Sequence, residues 1–138
     1  PAAPPWYVMK YGFEPILNTP GDVAGLGRFD EMIGLGIFDS LYSRNSNVFA
    51  AVPSLHSAYM VIAFYYSLKA KYPNFLRVIF GIIMFGIWFT AVYSAHHYII
   101  DAILGASCSV LGIFIFEKIL MKWSAFNRFI GRYTNYIS

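Results

Sequence analysis

Charged residues are scarce in this 138-residue chain, at 12% against 58% hydrophobic, with only seven acids among them. An ordinary soluble domain carries about 25% charged residues, so the composition weighs against a soluble all-α domain with buried helices. The one cysteine, Cys108, excludes a disulfide within the chain and reads as a small packing residue inside an apolar run. Neither clustered cysteines nor an HExxH-type spacing supports a zinc site, so no metal and no cofactor is invoked. Internal repeats and low-complexity tracts are missing too. The net charge of +3 is small, and no nucleic-acid partner is expected. The opening "PAAPPWY" has neither an initiator Met nor a secretory signal pattern, which reads as a piece of a longer protein.

What the chain does have is long apolar runs. Residues 75–95 are apolar apart from Arg77, Thr90 and Ser94, and residues 98–121 are interrupted mainly by Asp101 and the pair Glu117–Lys118. A third run, 56–68, is shorter but extends through 52–55 and 69–72. About 20 residues span a hydrocarbon core. The runs therefore predict an all-α, polytopic membrane bundle of about three transmembrane helices over 56–72, 75–95 and 98–121, the C-terminal part of a larger bundle. The expected division is 1–48 as interfacial loop and short helices, 49–121 as the membrane core and 122–138 as an amphipathic tail.

Residues 1–21 hold most of the seven prolines and predict loop and short pieces rather than a long helix. Trp6, Tyr7, Tyr11 and Phe13 suit the lipid headgroup layer. Residues 22–42 mix glycine with apolar residues at helical spacing, with Asp22 as a cap, and 43–47 read as a turn. In the tail, Trp123, Phe126, Phe129, Ile130, Tyr133 and Ile137 recur at threes and fours, as in a helix lying in the membrane plane. Alternating crossings put Lys69, Lys71, Arg77, Lys118, Lys122, Arg128 and Arg132 on one side. Only Lys10, Arg28 and Arg44 lie on the other. The positive-inside rule then makes the tail cytoplasmic and turns residues 93–101 and His56 toward a lumen, periplasm or cell exterior.

Titratable groups are few, and several meet in "YSAHHYIID", 93–101. His97 and Asp101, four apart, share a face of a predicted helix, where the carboxylate can hold the imidazole in one tautomer. His96 points about 100° away. In "VPSLHSAY", 52–59, Pro53 is expected in a helix's first turn and Ser54 as its cap. His56 then falls in that first turn, where free N–H groups attract an anion, with Ser54 and Ser57 as added hydroxyl donors. The helices carrying His56 and His97 begin on the same membrane side, so the two imidazoles can converge on one anion. A nucleophilic imidazole, a second one able to shuttle a proton and an anion site together favour phosphoryl chemistry.

"PSLHS" (53–57) followed some 40 residues later by "HYIID" (97–101) resembles two signature motifs of the type 2 phosphatidic acid phosphatase superfamily. "PPWY" (4–7), "GLGRFD" (25–30), "FAAVPSLHSAY" (49–59) and "VYSAHHYIIDAILGA" (92–106) are similar, in order, to its inositol phosphorylceramide synthase branch. The resemblance implies that His97 attacks phosphorus and becomes a phosphohistidine, that Asp101 orients His97, and that His56 protonates the departing diacylglycerol and then deprotonates the acceptor. It implies phosphatidylinositol as donor and the primary hydroxyl of ceramide as acceptor. Phosphatases of the superfamily usually carry Arg six residues before the nucleophile, where this chain has Ala91, and favour Gly where it has Leu55. Losing that clamp on phosphate weighs against simple phosphatase activity. Arg28, with Arg44 and Lys10 behind it, is the candidate to balance the phosphate charge. A lipid phosphatase of the same superfamily, with water as acceptor, and a noncatalytic lipid-binding scaffold are the alternatives. A protein partner is not readable from the sequence.

Overall fold

A computed structural model describes residues 2–44 and 48–137, and among these every regular element is helical. Short helices come first: α1 (Pro5–Tyr11), a 3₁₀ turn (Ala24–Leu26), α2 (Gly27–Ile33) and α3 (Ile37–Tyr42). The long ones follow: α4 (Leu55–Lys69), α5 (Asn74–Tyr93) and α6 (Ile99–Phe114), which continues through a π turn (Ile115–Ile119) and a 3₁₀ turn (Leu120–Lys122) before α7 (Ser124–Ile137).

Two helices are long and apolar enough to cross a membrane, α5 over Asn74–Tyr93 and α6 with its extension over Ile99–Lys122. α4 has 15 residues, a rise of about 22 Å, and is shorter than the 56–72 predicted because the chain turns at Ala70 and Lys71, the latter with φ 55°. α4 lies between α5 and α6 and runs parallel to α6. The Ser109 hydroxyl donates to the Ala58 carbonyl at 2.7 Å, and near the far ends Glu117 accepts from Tyr65 at 3.0 Å and pairs with Lys69. Glu117, an interruption in the sequence pattern, is thus neutralised by α4.

The bundle is small and polar inside and apolar outside. Ser57, Ser67, Gly105 and Ser109 are buried, while Ile82, Phe85, Phe89, Ile103 and Val110 are exposed. Helices in lipid approach one another through small residues, since large apolar ones gain nothing from leaving hydrocarbon. α7 is strongly amphipathic, with Phe129, Tyr133 and Ile137 exposed, in keeping with the periodicity of the tail.

A second core caps one end of the bundle. Trp6, Tyr7 and Val48 are buried together, with Phe49 and Ala95 packed against them. The fully buried Tyr7 donates its hydroxyl to the Glu14 carbonyl and accepts from the Ile16 N–H, both at 2.8 Å. Trp6 and Tyr7 therefore pack inside this cap and not in a headgroup layer; Phe13 alone of the predicted four is fully open. The Trp6 N–H binds the Ala95 carbonyl at 3.0 Å, which anchors the cap to the α5–α6 turn. The 22–42 stretch forms two short helices, broken at Gly34, whose φ of 68° suits glycine. Asp22 accepts from the Ala24 N–H at 2.7 Å, but it stands one residue before the cap position of the 3₁₀ turn, which is Val23; Asp30 caps α3 through the N–H groups of Phe38 and Asp39. Of the predicted turn at 43–47, residues 45–47 lie outside the described set.

Candidate active site

Ser54 caps α4, its hydroxyl accepting from the Ser57 N–H. Pro53 stands outside the helix, before the cap, and not in its first turn as expected. The Ser54 N–H donates to the Asp101 carbonyl at 3.1 Å. One turn further along α6, Gly105 faces the Ser54 carbonyl so closely that an added Cβ would lie 2.2 Å from its oxygen. The start of α4 is thereby seated on the first turn of α6. This seating brings His56 opposite His97, with ring centroids 6.0 Å apart and the planes at 61°.

His97 precedes α6, which begins at Ile99 after the cap residue Tyr98. It reaches Asp101 across the helix's entry rather than along a helical face. The Asp101 carboxylate accepts the Tyr98 N–H at 2.8 Å and lies 3.6 Å from His97 Nδ1. That separation suits an ion pair but is too long for a hydrogen bond, and His97 Nδ1 and Asp101 Oδ1 are both buried without a partner among the described residues. Such unpaired groups are costly and concentrate at working sites; catalytic contacts of this kind often tighten only once substrate is bound. Burial lowers the pKa of His97 from its ordinary value, opposed by Asp101 and assisted by His56. The ring is therefore held toward its neutral, nucleophilic form.

Both imidazoles open into a cavity of about 590 Å³. Its upper wall carries Asp22, Tyr42, Ser94 and His96, and its lower wall runs down α5 through Thr90, Ile87 and Ile83. From Ser94 to Ile83 the descent is about 16 Å at the helical rise. A polar end at the turn and an apolar channel toward the helix middle suit a molecule with a polar head and a hydrocarbon tail.

The sequence-predicted residues fall into two groups. His56, His97 and Asp101 are brought together. Ser54 and Ser57 are fully buried at the α4–α6 contact and do not line the cavity. Arg28 is exposed and lines a second, polar cavity of about 430 Å³ with Lys10, Asp22 and Tyr93, which shares Trp6 and Asp22 with the first. Arg44 is exposed and lines neither cavity. Among the described residues that line the first cavity there is no Lys or Arg, and the basic groups are three imidazoles. Ala91 is in that lining, where the phosphatases carry Arg. No cluster among the described residues has the donors for a metal ion.

Tyr42 and the bonding of His96 were not legible from spacing. His96 Nε2 lies 3.2 Å from the Asp22 carbonyl, and Nδ1 lies 2.9 Å from the Ser94 hydroxyl. A carbonyl can only accept, so Nε2 carries the proton and Nδ1 accepts from Ser94. The Tyr42 ring lies against that of His96, centroids 4.3 Å apart. Burial lowers the pKa of His96 and raises that of Tyr42, keeping both neutral. The doublet "HH" was the only available signal for His96, and nothing in the sequence tied it to Tyr42.

The family model described as the PAP2 superfamily matches residues 1–115. The chain is 62% identical over 137 residues to a phosphoinositol dihydroceramide synthase of Bacteroides thetaiotaomicron, covering 99% of this chain and 45% of that protein. It is 36% identical over 119 residues to an inositol phosphorylceramide synthase of Candida albicans, covering 86% of this chain and 25% of that one. With the inositol phosphorylceramide synthase catalytic subunit of Saccharomyces cerevisiae it shares 35% over 121 residues, 85% of this chain and 28% of the subunit. The chain thus spans under half the length of these relatives. No solved structure matches it.

Proposed function

Because the chain belongs to the PAP2 superfamily, we propose that the protein it represents is a membrane phosphotransferase that moves a phosphoinositol, or similar phospho-alcohol, group from a glycerophospholipid to the primary hydroxyl of ceramide. The observation that carries this reading is the facing of His56 and His97 at 6.0 Å over a cavity with a polar head and an apolar tail. At that spacing both imidazoles can touch one phosphoryl group.

With Nδ1 turned to Asp101, Nε2 of His97 attacks phosphorus. The bond from phosphorus to the diacylglycerol oxygen breaks as His56 delivers a proton to that oxygen. The phosphohistidine so formed carries positive charge on its ring, which the Asp101 carboxylate stabilises. His56, now neutral, takes the proton of the ceramide hydroxyl. The resulting oxygen attacks phosphorus, the P–N bond breaks and His97 is regenerated. Diacylglycerol and the phosphosphingolipid leave.

Three further points belong to this reading. α4 crosses the membrane as a third span, since it lies beside α5 and α6 for its whole length. The cavity faces a lumen, periplasm or cell exterior, because seven of the basic residues flank the opposite ends of the helices. Residues 49–121 form the catalytic core between an interfacial cap and the tail. The lack of Lys and Arg among the described residues of the cavity lining favours a phosphodiester, with one negative charge, over the phosphomonoester that a phosphatase would take.

The test is a product assay on the full-length protein and its His97→Ala variant. Each is given labelled ceramide with phosphatidylinositol, and separately phosphatidic acid in water. A labelled phosphosphingolipid that disappears with His97→Ala is expected. Release of phosphate from phosphatidic acid without a sphingolipid product would replace this reading with the phosphatase.

A further inference from the structure

The polar end of the catalytic cavity has a composition that the phosphoryl chemistry does not require. His96 is saturated by the protein, one ring nitrogen on Ser94 and the other on the Asp22 carbonyl. It therefore has no nitrogen left for substrate, even though it is next to His97 in the chain. Its partners come from separate segments: Ser94 ends α5, Asp22 leads the Ala24–Leu26 turn, and Tyr42 closes α3. All four residues line the same cavity. One imidazole thus ties the two cap segments that roof the cavity to the turn that presents the nucleophile.

The charges of this wall are spent within the protein. Asp22 is the only acid among the described residues of the lining, and its carboxylate is bound to Lys10 at 2.8 Å and to the Ala24 N–H at 2.7 Å. Among the described residues no Lys or Arg lines the cavity. A cationic headgroup would find no free carboxylate there, and an anionic one no ammonium or guanidinium. The Tyr42 ring lies against His96 in this lining and offers an apolar face with a polar tip, a hydroxyl that can both donate and accept. Such a wall suits a neutral headgroup carrying several hydroxyls.

We propose that Tyr42 and His96 form the headgroup-selecting wall of the catalytic cavity, with Tyr42 touching a neutral, hydroxyl-bearing headgroup and His96 acting as the positioning residue that holds Tyr42 and the Asp22 segment in place. The proposal rests on the phosphotransferase reading for its donor, but its test does not depend on turnover. Binding of short-chain phosphatidylinositol, with short-chain phosphatidylcholine as the charged-headgroup control, is measured on the full-length protein in a His97→Ala background. kcat and KM are measured in the active background.

Tyr42→Ala and His96→Phe are each expected to weaken phosphatidylinositol binding and raise KM about tenfold, the size of one or two lost polar contacts. kcat stays within about threefold, and phosphatidylcholine binding does not change. His96→Gln keeps a donor for the Asp22 carbonyl and is expected to retain most of the affinity that His96→Phe loses. If His96→Phe does not fold, Tyr42→Ala carries the test. Unchanged phosphatidylinositol binding in Tyr42→Ala, or a loss confined to kcat, would overturn the proposal. Absent transfer with the selective binding pattern intact would overturn the reaction and leave the wall standing.

Discussion

Ser54 and Asp101 are joined through their backbones, the N–H of one donating to the carbonyl of the other at 3.1 Å. This bond sets the distance between His56 and His97, because each histidine lies within a few residues of one partner. The geometry of the candidate site is therefore a property of how α4 seats on α6.

Gly105→Ala tests that seating. A Cβ at this position would lie 2.2 Å from the Ser54 carbonyl oxygen and 3.1 Å from its carbon, and both are backbone atoms that cannot rotate away. The helices must separate, at about 1–3 kcal/mol as for other overpacked contacts. The melting temperature in detergent should fall, and the phosphotransferase rate should fall by more than tenfold as the rings part. Gly86→Ala on α5, where nothing lies within 4 Å of the added Cβ, is the control and should melt like the parent.

Asp101→Asn separates the two tasks of this side chain. An amide oxygen can still accept the Tyr98 N–H, so the entry to α6 and the melting temperature should be nearly unchanged. The charge that steadies the His97 ring is lost. Activity should drop on the order of 10²-fold or more, since a neutral partner neither fixes the tautomer nor stabilises the charged phosphohistidine. Steady-state kinetics beside a thermal melt distinguishes this from simple unfolding.

The pH dependence follows from the burial of His97 and His96. Both are held below the ordinary imidazole pKa of 6.5. In the proposed mechanism His97 attacks unprotonated, so it should set an acidic limb of kcat/KM with its midpoint below 6.5. Stability has the matching sign. As pH falls through 6.5 the unfolded chain takes up protons that the folded chain resists, so stability declines until the folded imidazoles also protonate. Kinetic and melting profiles between pH 5 and 8 check both.

At the opposite end of the bundle, Glu117 is shared by Lys69 and Tyr65. Glu117→Gln should leave the Lys69 ammonium without its counter-charge near the apolar layer and lower the melting temperature by a few degrees. Adding Lys69→Met should recover much of the loss, because removing both partners leaves no unpaired charge. A double-mutant cycle of melting temperatures reads this coupling directly.

Much of the fold was legible because membrane spans follow from composition. The runs 75–95 and 98–121 are apolar enough that few other structures would satisfy their backbone, and α5 and α6 with its extension lie on them with ends shifted by a residue or two. The short helices were less legible. The capping of α3 by Asp30 depends on contacts eight and nine residues away. Trp6 and Tyr7 carried the pattern of headgroup aromatics but are buried, because Val48 and the α5–α6 turn supply a second core that has no periodic trace in the sequence.

By itself the sequence determined the apolar spans, the amphipathic tail and the chemistry available at one end, two histidines and an aspartate on segments that begin on the same side. Those are consequences of residue type and spacing. Only the tertiary structure decided which polar groups face the cavity. It turned Ser54 and Ser57 into the α4–α6 seam, put Arg28 behind a different wall and bound His96 to Asp22 and Ser94. The reason is that a side chain's direction near a helix end is set by whichever neighbour packs against it, and at this end those neighbours lie up to 74 residues away along the chain.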